Sequence, residues 1–151
     1  VKSRGLGDVY KRQGTDGAAS NNDLDMWEEM RLAALLQKIE NMDPAVLPAR
    51  QVLAMATIEG ATAIGLSEKL GSIKAGKRAD IIQVSTEDVH YVPTFDIVSH
   101  LVYVSDEQDV TTVVVDGRIL MQNQEILTIE TKKLKERAVE IAARIKNKLR
   151  K

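Results

Sequence analysis

A chain of 151 residues, 44% apolar and 28% charged, has material for one ordinary core or parts of two, and its formal net charge is −1. Only 3% of residues are aromatic, and basic residues gather at both ends around an acidic middle, which argues against a nucleic-acid surface of basic stripes and stacking rings. Without cysteine, disulfides and thiolate metal sites are excluded; no apolar run approaches the roughly 18 residues of a membrane span, and no hydrophobic segment comes after the basic start to make a signal peptide, so the cytoplasm is the default location.

The opening "VKSRGLGDVYKRQ", residues 1–13, begins without methionine and shares neither composition nor periodicity with the rest of the chain. It reads as a disordered basic arm, or as foreign adapter sequence resembling that found at the ends of environmental reading frames, and it is set aside from fold reasoning. On the second reading the natural chain is cut before Gly14, and the remainder is the C-terminal fragment of a longer protein. Asp25, with Glu28 three positions later, has the form of a capping box. It predicts a helix from about Met26 to Glu40, apolar around most of its circumference and so largely buried. "NMDPAVLP" breaks that helix, and a second helical stretch runs from Pro48 to Ile64, with a break near Thr57 to Gly60 and an end at Gly65.

The period then shortens. "GSIKAGKRADIIQVS" places turn residues around Ala75 to Lys77 before a strand at Ile81, Ile82 and Val84, and Asp80 reads as fixing the turn or the start of that strand. "DIVSHLVYVS" predicts a second strand centred on Val98 to Val104. In "VTTVVVDGRILMQNQ", Asp116-Gly117 between apolar runs predicts a hairpin with a type I′ turn. Leu134, Ala138, Ile141, Ile145 and Leu149 recur at spacings of three and four, which predicts an amphipathic helix over 131–150 supported by a Glu140–Arg144 pair. Helices, then short strands, then a helix imply an α/β chain of two packed units.

The residues with the strongest chemical signal stand at the start. In "GTDGAASNNDLDM" the carboxylate of Asp16 is flanked by Gly14 and Gly17, with Ala18, Ala19 and Ser20 next, so a metal ion or small ligand meets no bulky neighbour in sequence. The lysine and hydroxyl of a phosphate-cradling loop are missing. Asp-Gly is also a common turn, so composition leaves both a turn and a ligand site open for Asp16. Ser20, Asn21 and Asn22 either line a pocket mouth or serve turn and helix-start hydrogen bonding. Trp27, Met26 and Met30 read as core.

"GTDGAASNNDLDMWEEMRLAALLQK" resembles the segment after the last barrel strand of the amidohydrolase superfamily, in particular the 5′-methylthioadenosine/S-adenosylhomocysteine deaminases. The resemblance continues through "LPARQVLAMATIEGATAIGL", "LGSIKAGKRADIIQV", "VSHLVYV" and "VVVDGRIL". It implies an eight-stranded metal-dependent hydrolase TIM barrel, of which residues 14–66 would be the C-terminal part. Residues 67–129 would be part of a small β-sandwich, and residues 130–151 a C-terminal helix.

The resemblance further implies that Asp16 ends the eighth strand, ligates zinc and handles the proton of the metal-bound water. Hydroxide made available by zinc would attack the ring carbon that bears the amino group of a purine nucleoside. The family's histidine-x-histidine pair, two further histidines and proton-shuttling glutamate would all lie upstream. His90 is expected in a solvated loop and His100 inside a strand, neither on a metal. With Asp16 as its one ligand, the chain alone is expected to be inactive, to bind zinc substoichiometrically and to aggregate through the exposed sides of its first helix. Two other functions stay open, a chlorohydrolase or other cyclic-amidine hydrolase of the same superfamily and a noncatalytic interaction module.

Overall fold

The computed structural model describes residues 14–149; the 1–13 segment and the last residue of the predicted 131–150 helix lie outside the described residues. Helix α1 spans Met26–Asn41, and the Asp25 carboxylate accepts hydrogen bonds from the backbone N–H groups of Trp27 and Glu28 at 2.8 and 3.3 Å. Two of the donors that a helix start leaves unpaired are thereby satisfied. Helices α2 (Ala49–Ala56) and α3 (Ile58–Ala63) meet at Thr57, whose φ of −124° and ψ of −99° interrupt the helical path where the sequence predicts a break.

The segment predicted as a strand at Val98 to Val104 is instead helix α4, Ile97–Tyr103. Asp96 caps it by accepting from Val98 N–H at 3.0 Å and from the Ser99 hydroxyl at 3.2 Å. Val98 and Val102, four apart, then share a face against the core, and this packing overrides the β preference of the branched side chains. The core cluster is Met30 and Ala34 of α1, Leu47, Ala49, Val52 and Met55 on and before α2, and Val102 of α4. Helix α4 lies within the 67–129 segment and packs on α1 and α2.

Strands β1 (Ile81–Val84), β2 (Val110–Val115), β3 (Arg118–Gln122) and β4 (Glu125–Ile126) form an antiparallel sheet in that order. The β2–β3 turn has φ of 50° at Asp116 and 76° at Gly117, both positive as a type I′ turn requires. Asp80 accepts from Asp116 N–H at 2.6 Å, so the residue before β1 clamps this turn, in line with its expected structural role. Asn123 and Gln124, with φ of 48° and 64°, make a second tight turn into β4, one not predicted from the sequence. Gly71 is required sterically: at φ of 81°, a Cβ there would lie 2.8 Å from Ile58 Cα and from the Thr57 carbonyl oxygen.

Helix α5, Thr131–Leu149, forms as predicted, but none of its residues is buried. Arg137 pairs with Glu140 at 2.9 Å and Lys133 with Glu130 at 2.7 Å, so the supporting ion pairs are spaced by three residues; the expected Glu140–Arg144 pair is not made. On α1, Met30 and Ala34 are buried, whereas Leu32, Leu35, Leu36 and Ile39 are exposed by 43 to 66%. The expectation of a largely buried first helix thus fails among the described residues, because the core covers only one of its apolar sides.

Candidate active site

Asp16 lies in an irregular stretch leading into the turn at 18–20, with no strand at residues 14–17. A parallel strand needs neighbours for its backbone hydrogen bonds, and no described strand adjoins this one. The φ of Asp16 is +58°, a left-handed conformation that costs a non-glycine residue about 1–2 kcal/mol but that aspartate tolerates better than most. Gly17 N–H donates to Asp16 Oδ1 at 2.7 Å, while the N–H groups of Ser20 and Asn21 both donate to the Gly17 carbonyl at 2.9 Å. One carboxylate oxygen therefore shapes the turn. The residue is exposed, and its other oxygen makes no hydrogen bond within the described residues. The two readings of Asp16 are in this way compatible.

The loop is tied to α1 by a side chain. Asn21 Nδ2 donates to the Thr15 carbonyl at 3.2 Å and to Glu29 Oε1 at 2.6 Å. Of the alternatives for Asn21, the structure shows hydrogen bonding between loop and helix. Met30 is in the core as expected, 5% exposed, and Trp27 packs against it partly buried.

The two histidines stand elsewhere. His90 lies in the short turn Val89–Tyr91 and is exposed, as expected of a loop residue, while its Nε2 reaches to 3.1 Å from Asp109 Oδ1. His100 is on α4, with its Nδ1–H directed at the Asp96 carbonyl at 3.1 Å and its ring stacked on Tyr91 at 6.0 Å. Between them Tyr91, Ser105 and Asp109 form a buried polar group: Tyr91 Oη is 2.5 Å from Ser105 Oγ and 3.2 Å from Asp109 Oδ2. Burial, reinforced by the Asp109 charge and opposed by the Ser105 hydrogen bond, holds the Tyr91 phenol above its ordinary pKa. Arg31 Nη2 donates to the Ser105 carbonyl at 2.6 Å and joins this group to α1. Tyr91 is 14 and 18 residues from Ser105 and Asp109 and shares no motif with them, so only the fold brings it to them.

Among the described residues no three His, Cys, Asp or Glu side chains are grouped to hold a metal. As a hard, exposed oxygen donor, Asp16 is of the chemical kind that could occupy one position of a zinc site, and among the described residues it belongs to no group of three such donors. A cavity of about 900 Å³ between the β4 turn and the start of α5 is lined by Asn123 to Lys132 and Lys135, and includes no residue of the Asp16 loop.

Residues 8–120 match the model of the amidohydrolase family, a match that begins inside the 1–13 segment excluded from fold reasoning. The chain belongs to the amidohydrolase family. A 5-methylthioadenosine/S-adenosylhomocysteine deaminase of Desulforudis audaxviator is 47% identical over 132 residues, covering 87% of this chain and 31% of that protein. A 5′-deoxyadenosine deaminase of Methanosarcina mazei is 49% identical over 129 residues, 85% of this chain and 29% of the relative. This amidohydrolase chain thus spans about a third of the length of these curated relatives.

Among solved structures, a zinc-bound adenosine deaminase from Xanthomonas campestris superposes with a TM-score of 0.85 at 37% identity, over 89% of this chain and 30% of that one. An atrazine chlorohydrolase from Arthrobacter aurescens, complexed with zinc and atraton, gives 0.74 at 27% identity over 82% and 28%. The α/β fold class expected from the sequence, a part of the metal-dependent hydrolase barrel with a small sheet and a terminal helix, stands on these matches. Among the described residues no helix is long and apolar enough to cross a membrane.

Proposed function

We propose that this chain supplies the C-terminal part of a zinc-dependent amidohydrolase that hydrolytically deaminates 5′-methylthioadenosine, S-adenosylhomocysteine or a related purine nucleoside. The observation that carries the reading is the accessible Asp16 carboxylate, with one oxygen committed to its turn and the other making no hydrogen bond among the described residues, in a loop with small side chains on both sides. Asp16 would hold one position of the metal and accept or return a proton at its other oxygen. Bound zinc supplies Lewis acidity and makes hydroxide available near neutral pH. The remaining metal ligands and the glutamate that serves the ring nitrogen would come from the other two-thirds of the protein. The 14–66 segment would complete the barrel there, and the sheet would complete a sandwich.

The deaminase reading is preferred to a chlorohydrolase because the Desulforudis and Methanosarcina deaminases are 47% and 49% identical to this chain, against 27% for the chlorohydrolase structure. Exposed apolar residues on α1 and on the sheet, Ile82 and Ile119 among them, support the fragment reading against a freestanding interaction module.

The test joins the upstream two-thirds of the Desulforudis relative to residues 14–151 of this chain. The chimaera is expected to release ammonia from 5′-methylthioadenosine and to hold zinc, and Asp16→Asn to lower kcat by about 10²–10⁴-fold. The 151-residue chain alone is expected to release none and to bind substoichiometric zinc. Stoichiometric zinc with ammonia release by the isolated chain, or an inactive chimaera, would overturn the reading.

A further inference from the structure

The Asp16 carboxylate sits at the end of a relay that starts in the hydrophobic core. Met30 and Ala34 seat α1 in the core cluster, and Glu29, adjacent to Met30, lies in the first turn of that helix. Glu29 Oε1 accepts from Asn21 Nδ2 at 2.6 Å, and the same nitrogen donates to the Thr15 carbonyl at 3.2 Å. That carbonyl belongs to the planar peptide group ending at the Asp16 Cα, so fixing its oxygen restricts where Asp16 can stand. Downstream, the Gly17 turn fixes the other side of the residue. A left-handed aspartate in a loop of glycines and alanines would otherwise have little to hold it.

The chemistry of the relay is specific. Both partners of Asn21 accept hydrogen bonds, one a backbone carbonyl and one a carboxylate, so they require the two hydrogens of an amide nitrogen. Aspartate has the same size, but would set oxygen against both acceptors.

We propose that Asn21 is a positioning residue for Asp16, working through Thr15 and anchored on Glu29; the proposal rests on the deaminase reading of the site. Asn21 touches neither substrate nor metal in this role. It transmits the rigidity of α1 to the carboxylate that must meet both.

In the chimaera with the Desulforudis relative, Asn21→Ala and Asn21→Asp are expected to lower kcat and to release zinc to a chelator about 10–100-fold more readily, with KM changed by less than about threefold. Glu29→Gln leaves an acceptor oxygen facing the amide and is expected to stay within about twofold of the parent in both readings. Asn41→Ala, which removes a side-chain bond to the Gln37 carbonyl at the far end of α1, controls for loss of a hydrogen bond alone. Thermal unfolding within a few degrees of the parent shows that the fold is kept.

An active parent chimaera whose Asn21 variants keep their zinc and kcat would overturn the inference and leave the functional reading standing. If the parent chimaera itself is inactive, the functional reading falls. Proteolysis of the 151-residue chain then still decides the tie. Cleavage within residues 14–24 should speed up about tenfold in Asn21→Ala and not in Glu29→Gln, and equal rates would overturn it.

Discussion

In α2, Val52 and Met55 are 0% and 2% exposed, whereas Val139 and Leu149 of α5 are 70% and 82% exposed. Both helices carry apolar residues at helical spacing, so their sequences ask for the same burial. The difference lies in what the rest of the chain brings to them. Helix α2 is met by α1 and α4, with Met30, Ala34 and Val102 closing around it, while no described element covers α5. An amphipathic pattern thus specifies a helix and a face. It does not specify a partner.

The largest effect should come from cutting into the packed side of this contrast. Met55→Ala is expected to cost about 2–5 kcal/mol and to lower hydrogen-exchange protection across α1, α2 and α4 together, with the amides of α5 unchanged. Loss of protection in α5 as well would show that the two regions are one cooperative unit.

A smaller effect is expected where the helices meet the start of the sheet. Tyr91→Phe removes the phenol from Ser105 and Asp109 and should cost about 1–3 kcal/mol. Its pH signature has a definite sign. The folded phenol pKa is raised, so its contribution is fully present below the ordinary value of about 10 and is lost as pH rises through the higher folded value. Denaturant midpoints taken across that alkaline window should fall in the parent and less in Tyr91→Phe; parallel profiles would remove Tyr91 as the cause.

Asp25→Ala should cost about 1 kcal/mol, seen as faster exchange of the Trp27 and Glu28 amides that it caps. On the uncovered side, Ile141→Gln should change stability by less than about 0.5 kcal/mol. Light scattering should nevertheless show reduced self-association, because the substitution interrupts an exposed apolar stripe. A large destabilisation by Ile141→Gln would mean that α5 is docked after all.

How much is legible in the sequence depends on the range of each interaction. The Asp25 cap, the break at Thr57 and the Asp116-Gly117 turn are set by neighbours a few residues away, and all three are found where the sequence places them. Asp16 is visible as a candidate for the same reason, since its glycine and alanine neighbours are adjacent in the chain. The segment at 97–103 reads as a strand because Ile, Val and Tyr favour strands in isolation, while the Asp96 cap and the core face of Val98 and Val102 decide for a helix. The joining of Tyr91 to Ser105 and Asp109, across 14 and 18 residues, leaves no local trace.

By itself the sequence determined the helices α1, α2 and α5, the β2–β3 hairpin and an unobstructed carboxylate at residue 16, because backbone preferences, caps and turn chemistry act over a few bonds. Only the tertiary structure decided that α4 is a helix, that α2 is buried while α5 is bare, and that Asn21 joins Thr15 to Glu29. Those outcomes depend on groups distant in the chain coming within a few ångströms, where packing and hydrogen-bond geometry outweigh local preference.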